Sequence, residues 1–469
     1  MIAYRLLRAL GKLALQWFYR DIEVVGIERV PEHGPVLLAS NHPNALVDAL
    51  VIGCTLRRSV TLTAKATLLD HPITRVLLRV GGVVPLRRAV DHVARVGSDT
   101  VLDPARNAAA FASVLDVLQG GGIVLLFPEG RSHSEPSLAP LKTGLARMAI
   151  MAHNDRRLDS MRVIPIGLTF ERKWEPRSRV LMHIGEPIAV ADVRPNEPAA
   201  VATLTQQVDS ALREVTLNFR TTEDARQVLA ISATLAEVLD EFRPLHNPDP
   251  PLADSVRVAH RINAIVPKLT GIDPIVSQRV ERFLERFAVF EEMTQTTGIS
   301  ASDVQMSTRM VSGLWFGVRE LLLAALAGPF ALWGRVNHWL ALRFARSFAL
   351  RTSSTPDDPA TNTIVAGLVL VLAFYVAQIV IVGWSFGWIG AFAYGVSLPL
   401  SATWDFRYAD RVRRGLRRAR TYLRFRSDPT LHEQLLGELR WLRSEAIILD
   451  SLLVPGPSMS RDNALARRL

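Results

Sequence analysis

Val36-Leu37-Leu38-Ala39-Ser40-Asn41-His42-Pro43-Asn44-Ala45-Leu46-Val47-Asp48 reads as an apolar strand that breaks into a polar turn and then into a helix. The run Val36–Leu38 predicts a buried strand ending where His42 appears. Pro43 and Asn44 suit a turn, and Asn44 is a candidate N-cap for a helix beginning at Ala45. Asp48 then falls in the first turns of that helix, within reach of the His42 imidazole. A carboxylate on one ring nitrogen fixes the tautomer and leaves the other nitrogen free as a general base. A His and an Asp so placed are more often structural than chemical, so their company decides the reading.

Outward from this segment the pattern from about Ile22 to Val190 is α/β. Strands are expected at Ile22–Val25, Val36–Ser40, Ser59–Thr63, Gly82–Leu86, Ile123–Phe127, Val163–Thr169 and Val180–Ile184, each bounded by Gly, Pro or polar turns. Helical stretches lie between several of them, at Asn44–Cys54, Ala105–Leu118 and Thr143–Asn154. Strands alternating with helices imply a sheet covered by helices, in an order that the pattern leaves open.

Two further strand ends carry polar chemistry. Ile123-Val124-Leu125-Leu126-Phe127-Pro128-Glu129-Gly130-Arg131-Ser132 is an apolar strand breaking into a charged glycine turn, the kind of strand end at which α/β proteins place ligands. Gly81-Gly82-Val83-Val84-Pro85-Leu86-Arg87-Arg88 ends in cations. Arg88, Arg131 and Lys142 together could hold an anionic head group, because guanidinium and phosphate pair bidentately.

These segments resemble the glycerolipid acyltransferases that include bacterial 1-acylglycerol-3-phosphate acyltransferase. The family's Asn-His…Asp motif is matched by Asn41, His42 and Asp48, and its Gly-x-x-Phe-x-x-Arg motif by Gly82 to Arg88, with Pro85 in place of the aromatic. Phe127, Pro128, Glu129, Gly130, Arg131 and Ser132 match the Phe-Pro-Glu-Gly motif in full, with Lys142 and Gly144 downstream. Val163-Ile164-Pro165-Ile166 looks like the family's apolar-Ile-Pro-apolar strand. The resemblance covers roughly residues 22–190. One departure stands out: five residues, Pro43 to Val47, separate His42 from Asp48, one more than the usual family spacing. The extra residue moves Asp48 about 100° around a helix unless the turn at Pro43-Asn44 absorbs it. Some glycerol-3-phosphate acyltransferase relatives share a longer spacing.

The resemblance implies transfer of a fatty acyl group from acyl-CoA or acyl-carrier protein to a glycerol phosphate acceptor, with 1-acylglycerol 3-phosphate (lysophosphatidate) placed first. Glycerol 3-phosphate is the alternative acceptor. It implies His42 as base, Asp48 as its partner, and Arg88, Glu129, Gly130, Arg131 and Lys142 around the acceptor phosphate. A thioester-independent phospholipid transacylase and a non-enzymatic membrane scaffold are the other readings. No cofactor or metal is expected, since His71, His92, His133 and His153 lack ligand spacing; His133 reads as a solvated loop residue.

The remaining chain of 469 residues adds a membrane part. Met1–Arg20 is broken by Arg5, Arg8 and Lys12, which argues against a cleaved signal. Its apolar residues recur at helical spacing, as in a helix lying in the membrane interface. The lone cysteine, Cys54, excludes an intramolecular disulfide and suits a reducing setting. Residues 21–198 are expected to form the catalytic domain and residues 199–310 a helical spacer.

Residues 311–404 are read as the membrane region. No Asp, Glu, Lys or Arg occurs in the 46 positions between Asp358 and Asp405, room for two spans of about 20 residues, read as a hairpin of Ile364–Val382 and Phe386–Ala402. Leu321–Trp333 is closed by Arg335 after 13 residues and reads as re-entrant or interfacial. In residues 405–469, nine arginines against two acids lie between Asp405 and Arg426, which reads as a basic amphipathic helix on anionic lipid rather than on nucleic acid, followed by a helical tail. Positive charge on both flanks puts both ends in the cytosol, hence an inner (cytoplasmic) membrane location with the catalytic domain facing the cytosol. Oligomeric state is left open.

Overall fold

Each of the seven β-rich runs forms a strand. The computed structural model describes residues 2–66, 75, 81–86, 105–190, 198–239, 250–266, 273–352 and 358–453. The chain divides into two compact units, one of Met1–Asn218 with Trp339–Ala391, the other of Phe219–His338 with Phe392–Leu469.

In the first unit the strands are β1 (Asp21–Val25), β2 (Val36–Ser40), β3 (Val60–Lys65), β4 (Val84–Leu86), β5 (Ile123–Leu126), β6 (Arg162–Phe170), β7 (Arg179–Ile184) and the short β8 (Ile188–Ala189). They lie in the order β1-β7-β6-β2-β5-β3-β4, with β8 pairing β6. β2 is central and parallel to both neighbours, with Val36 opposite Ile123 on one side and Arg162 on the other. The β6–β7 and β6–β8 pairs are antiparallel. Pro165 interrupts β6 at the one place where it costs no ladder bond. Its carbonyl accepts from Gly185 at 2.8 Å, so its missing N–H points to the gap between the end of β7 and the start of β8.

Helices cover both faces, as a central parallel strand requires. Val36 and Leu38 point into a core shared with α1 (Ile2–Phe18) and α2 (Ala45–Thr55), where Leu15, Phe18, Val47 and Ile52 are buried. Leu37 and Ala39 point the other way, onto α3 (Ala105–Gln119), α4 (Gly144–Arg156) and α5 (Pro198–Val215). Fully burying one such Leu contributes on the order of 2 kcal/mol. The α5 helix, expected in the spacer, belongs here: Leu204, Val208, Leu212 and Val215 are buried against the sheet. Gly167 of β6 lets it approach, since a Cβ there would run into the Val215 carbonyl.

The N-terminal helix α1 packs on this unit through Ala14, Leu15 and Phe18, and Arg8 donates to the carbonyls of Leu56 and Arg57. Leu6, near its start, is exposed. Part of the apolar face read as lying in the membrane interface, at Ala14, is therefore packed on the domain itself, and Arg8 of the cationic face is tied to it as well.

In the second unit α6 (Thr222–Leu239), α7 (Leu252–Ile265), α8 (Pro274–Thr297) and α9 (Ala301–Val304) share a core with α12 (Pro429–Leu453). Forked ion pairs join these helices: Arg261 to Asp450, Arg279 to Glu445 and Arg286 to Glu438. The expected spacer and the expected tail therefore make one helical body.

Two longer helical elements are long and apolar enough to cross a membrane. One is α10 (Met310–Thr352), of 43 residues, so the short reading of Leu321–Trp333 is corrected. Arg335 does not close it, because its guanidinium is held in the helix by both oxygens of Asp405, 2.9–3.1 Å away. The other, α11 (Asp358–Ser427), leaves helical geometry at Gly387, where φ is 72° and ψ is 179°. A Cβ on Gly383 would lie 3.3 Å from the Ala391 Cβ. Residues eight apart in a straight helix are separated by about 12 Å, so the chain doubles back as the hairpin reading expects. The second arm runs on to Ser427, however. Residues 405–426 are its continuation rather than a separate surface helix, and Arg411, Arg417 and Arg418 pair with Glu320 and Asp303.

Candidate active site

His42 sits just past the C-terminal end of β2, and Phe127 just past that of the adjacent parallel β5. The two rings stack, with centroids 3.8 Å apart and planes 14° from parallel. The turn at Pro43-Asn44 brings Asp48 back toward the ring, and Nδ1 of His42 lies 2.9 Å from Asp48 Oδ2. That oxygen also accepts from the Asn44 backbone N–H at 2.7 Å. Nδ1 is thereby the protonated nitrogen and Nε2 the free one.

The extra residue between His42 and Asp48 is absorbed before the helix begins. Asn44 has φ −142° and ψ 42°, and Ala45 takes a left-handed φ of 46°. A left-handed alanine costs roughly 1 kcal/mol. Its N–H donates to Ser132 Oγ at 3.1 Å, which ties the strained turn to the glycine loop.

Asp48 is fully buried, and burial pushes its carboxyl pKa up, against the lowering effect of the His42 ring and the Asn44 N–H. Tyr19 lies beside it. Its hydroxyl accepts from Asn44 Nδ2 at 3.2 Å, and burial together with the Asp48 charge raises its pKa. Asn41, beside the base, is fastened to β6 by two bonds: Nδ2 donates to the Leu168 carbonyl at 3.0 Å, and Oδ1 accepts from the Leu168 N–H at 2.8 Å.

Glu129, expected around the acceptor phosphate, has another place. Its Oε1 accepts from the His42 backbone N–H at 2.9 Å, and its Oε2 from the Ala139 N–H at 2.8 Å and from His133 Nε2. Only 3% exposed, it is a brace under the His42 turn with both oxygens engaged. His133, expected in solvent, is the other half of that brace. Its Nδ1 accepts from the Glu135 N–H at 3.2 Å, so Nε2 carries the proton given to Glu129, and its own N–H donates to the His42 carbonyl at 3.2 Å.

Gly130 takes φ 75°, which L side chains rarely adopt, and turns the chain so that Arg131 faces outward. Arg131 is exposed and pairs with Glu135 at 2.5 Å. Lys142 has an exposed side chain, while its backbone N–H donates to the Pro128 carbonyl at 2.8 Å. Pro165 stands in the sheet opposite Ala39 and does not reach the base. Arg88 lies outside the described residues.

One cation escaped the sequence reading. Lys173, after β6, has its backbone carbonyl bound to Asn44 Nδ2 at 3.2 Å and its ammonium 3.1 Å from Ser134 Oγ, and its charge acts on Asp48. No motif marks it. Only the fold brings it to the edge of the site.

The arrangement has the parts for taking a proton from a hydroxyl: a base in a fixed tautomer, a buried carboxylate behind it, and cations at the rim. The profile of the acyltransferase family matches residues 21–169. Glycerol-3-phosphate O-acyltransferase 2 of Saccharomyces cerevisiae is 37% identical over 117 residues, which cover 24% of this chain and 16% of that protein. The 1-acyl-sn-glycerol-3-phosphate acyltransferase of Borreliella burgdorferi is 27% identical over 149 residues, covering 32% of this chain and 54% of that one. The chain thus spans about a sixth and about half of the lengths of these relatives. The crystal structure of the 1-acyl-sn-glycerophosphate acyltransferase of Thermotoga maritima aligns at 19% identity with a TM-score of 0.34, covering 45% of this chain and 78% of that one. The match to the acyltransferase family thus lies in residues 21–169, which hold the His42–Asp48 pair and the Phe127–Ser132 turn.

Proposed function

We propose that the protein moves a fatty acyl group from a thioester, acyl-CoA or acyl-carrier protein, to a hydroxyl of a glycerol phosphate, with 1-acylglycerol 3-phosphate as the acceptor. The observation that carries the reading is the His42 ring, held through Nδ1 by Asp48 and stacked on Phe127, with Nε2 left for substrate. Nε2 removes the hydroxyl proton as the oxygen attacks the thioester carbonyl. The C–S bond breaks, and the imidazolium returns the proton to the departing thiolate. Asp48 stabilises the imidazolium meanwhile. Arg131, Lys142 and Lys173 would face the acceptor phosphate, and the family resemblance adds Arg88, which lies outside the described residues.

Acceptor and product both live in a bilayer, so two helices able to cross one suit the reading. Arginines on both flanks of the hairpin support a cytosolic position for both of its ends in the inner membrane. A second reading, glycerol 3-phosphate as acceptor, is favoured by the five-residue His42–Asp48 spacing and by the 37% identity to a relative named for that acceptor.

Purified full-length protein supplied with palmitoyl-CoA and each acceptor in turn separates the two. Phosphatidate formed from 1-acylglycerol 3-phosphate supports the first reading. Preferential formation of 1-acylglycerol 3-phosphate from glycerol 3-phosphate supports the second. No thiol release with either acceptor, and none with an acyl-carrier thioester, would defeat both.

A further inference from the structure

Arg413, Arg417, Arg420 and Arg424 recur at steps of four, three and four residues along the second arm of α11, so they stand in one column on one face of the helix. They line a concave space of about 310 Å³ together with Thr297, Gly298 and the residue after it at the end of α8. Gly298 closes α8 in a left-handed conformation, and open space lies where a side chain would be.

The charges around this space are unequal. Asp303, buried, takes Arg417 and Arg418 at 3.1 and 3.3 Å. Asp410 lies 3.8 Å from Arg413, and Arg424 donates to the Thr297 carbonyl at 2.8 Å. Four guanidinium groups line the space, and no carboxylate does; Asp303 and Asp410 lie outside its lining and pair with Arg417, Arg418 and Arg413. Arg413, whose side chain is 69% exposed, is spared a close partner by the long distance to Asp410. Concentrating like charges in a hollow is unfavourable unless an anion enters it. The arginine fork presents paired N–H donors matched to phosphate oxygens. The volume is at the lower end of that of small-molecule sites and suits a compact head group rather than a polypeptide.

We infer that this pocket binds a phosphate-bearing anion, at a site separate from His42 and independent of the acyl-transfer reading. The phosphate can come from a phospholipid head group or from a soluble phosphate ester, since both present the same oxygens to the arginines. The arm that carries the column continues directly from an apolar helix, which makes the lipid source available.

The test uses full-length protein in neutral detergent, titrated calorimetrically with inorganic phosphate, with dihexanoyl phosphatidate and with dihexanoyl phosphatidylcholine. The comparison protein carries Arg413→Gln and Arg420→Gln, which leave the arginines on Asp303 in place. Phosphatidate, or phosphatidate and phosphate alike, should bind at least tenfold more weakly to the double variant, while thiol release from palmitoyl-CoA is unchanged. Phosphatidate bound far more tightly than phosphate identifies the lipid source; equal affinities identify the soluble one. An Arg420→Lys variant, which keeps charge but loses the fork, should fall between. The inference is overturned if the double variant binds both anions as the parent does, if neither anion binds the parent, or if phosphatidylcholine binds as tightly as phosphatidate.

Discussion

Replacing Asp48 with Asn removes the charge behind the base and keeps the volume that fills the space. Asp48 Oδ2 is 2.9 Å from His42 Nδ1. At an effective dielectric of about 20, a full carboxylate–imidazolium attraction at that separation is on the order of 5 kcal/mol. Part of it is realised when the proton is part-transferred, on the order of 3 kcal/mol, or about 100-fold in rate. Loss of the enforced tautomer adds to this, so kcat should fall by roughly 10² to 10⁴, the range of general-base contributions. The assay is thiol release from palmitoyl-CoA at saturating acceptor, read beside KM, which should change little. The same variant should not be unstable at neutral pH. Burial raises the folded-state pKa of Asp48, so its burial is free of charge cost only below the unfolded carboxylate value of about 4. As pH rises from there, the unfolded chain ionises first and the native protein loses stability until its own raised pKa is passed. The thermal midpoint of Asp48→Asn relative to the parent should therefore rise with pH over that window and be flat below it. Retention of more than a tenth of kcat, or a midpoint difference that shrinks as pH rises, would rule out Asp48 as the buried partner of the base.

Four further outcomes follow from named contacts. Glu129→Ala strands the His42 and Ala139 N–H groups and the His133 ring, and should cost about 2–5 kcal/mol, seen as a lower thermal midpoint together with a lower kcat. Ala45→Gly relieves a left-handed alanine and should raise stability by up to about 1 kcal/mol in denaturant titration, with activity retained. Gly334→Val drives a side chain into the Ser401 backbone and should separate α10 from the second arm of α11, read as a sharp rise in protease cleavage of the detergent-held protein. Arg335→Met leaves the nearly buried Asp405 without its half-exposed cation and should cost about 1–3 kcal/mol, most of which the added change Asp405→Leu should restore in a thermal melt.

What the sequence disclosed and what it hid divide along the range of the interactions. The strands were legible because each is a short, largely apolar run closed by a local breaker, and the hairpin because charge is absent over a long stretch. Strand order was not legible, since Val36 meets Ile123 and Arg162 through pairings that no local pattern encodes. His42 and Asp48 lie close in sequence and could be paired from spacing alone, but the turn that absorbs the extra residue depends on Ala45 accepting a left-handed φ and on Ser132, 87 residues on. Glu129 carries a family motif, which drew attention to the residue but not to its role. Its partners are the backbone N–H groups of His42 and Ala139 and the His133 ring, all on the loops around it, which no local pattern encodes. The length of α10 was hidden in the same way: Arg335 looked like a boundary until Asp405, 70 residues away, supplied its counter-charge.

The central claim is that His42 takes the proton of an acceptor hydroxyl during acyl transfer from a thioester. Its most direct test is product formation by His42→Ala, in full-length protein with palmitoyl-CoA and each glycerol phosphate acceptor, beside a thermal melt showing that the variant is folded. Product formation should fall by at least about 10²-fold, as expected on removing a general base, with the melt near that of the parent. A folded His42→Ala protein that forms product at the parent's rate would contradict that claim.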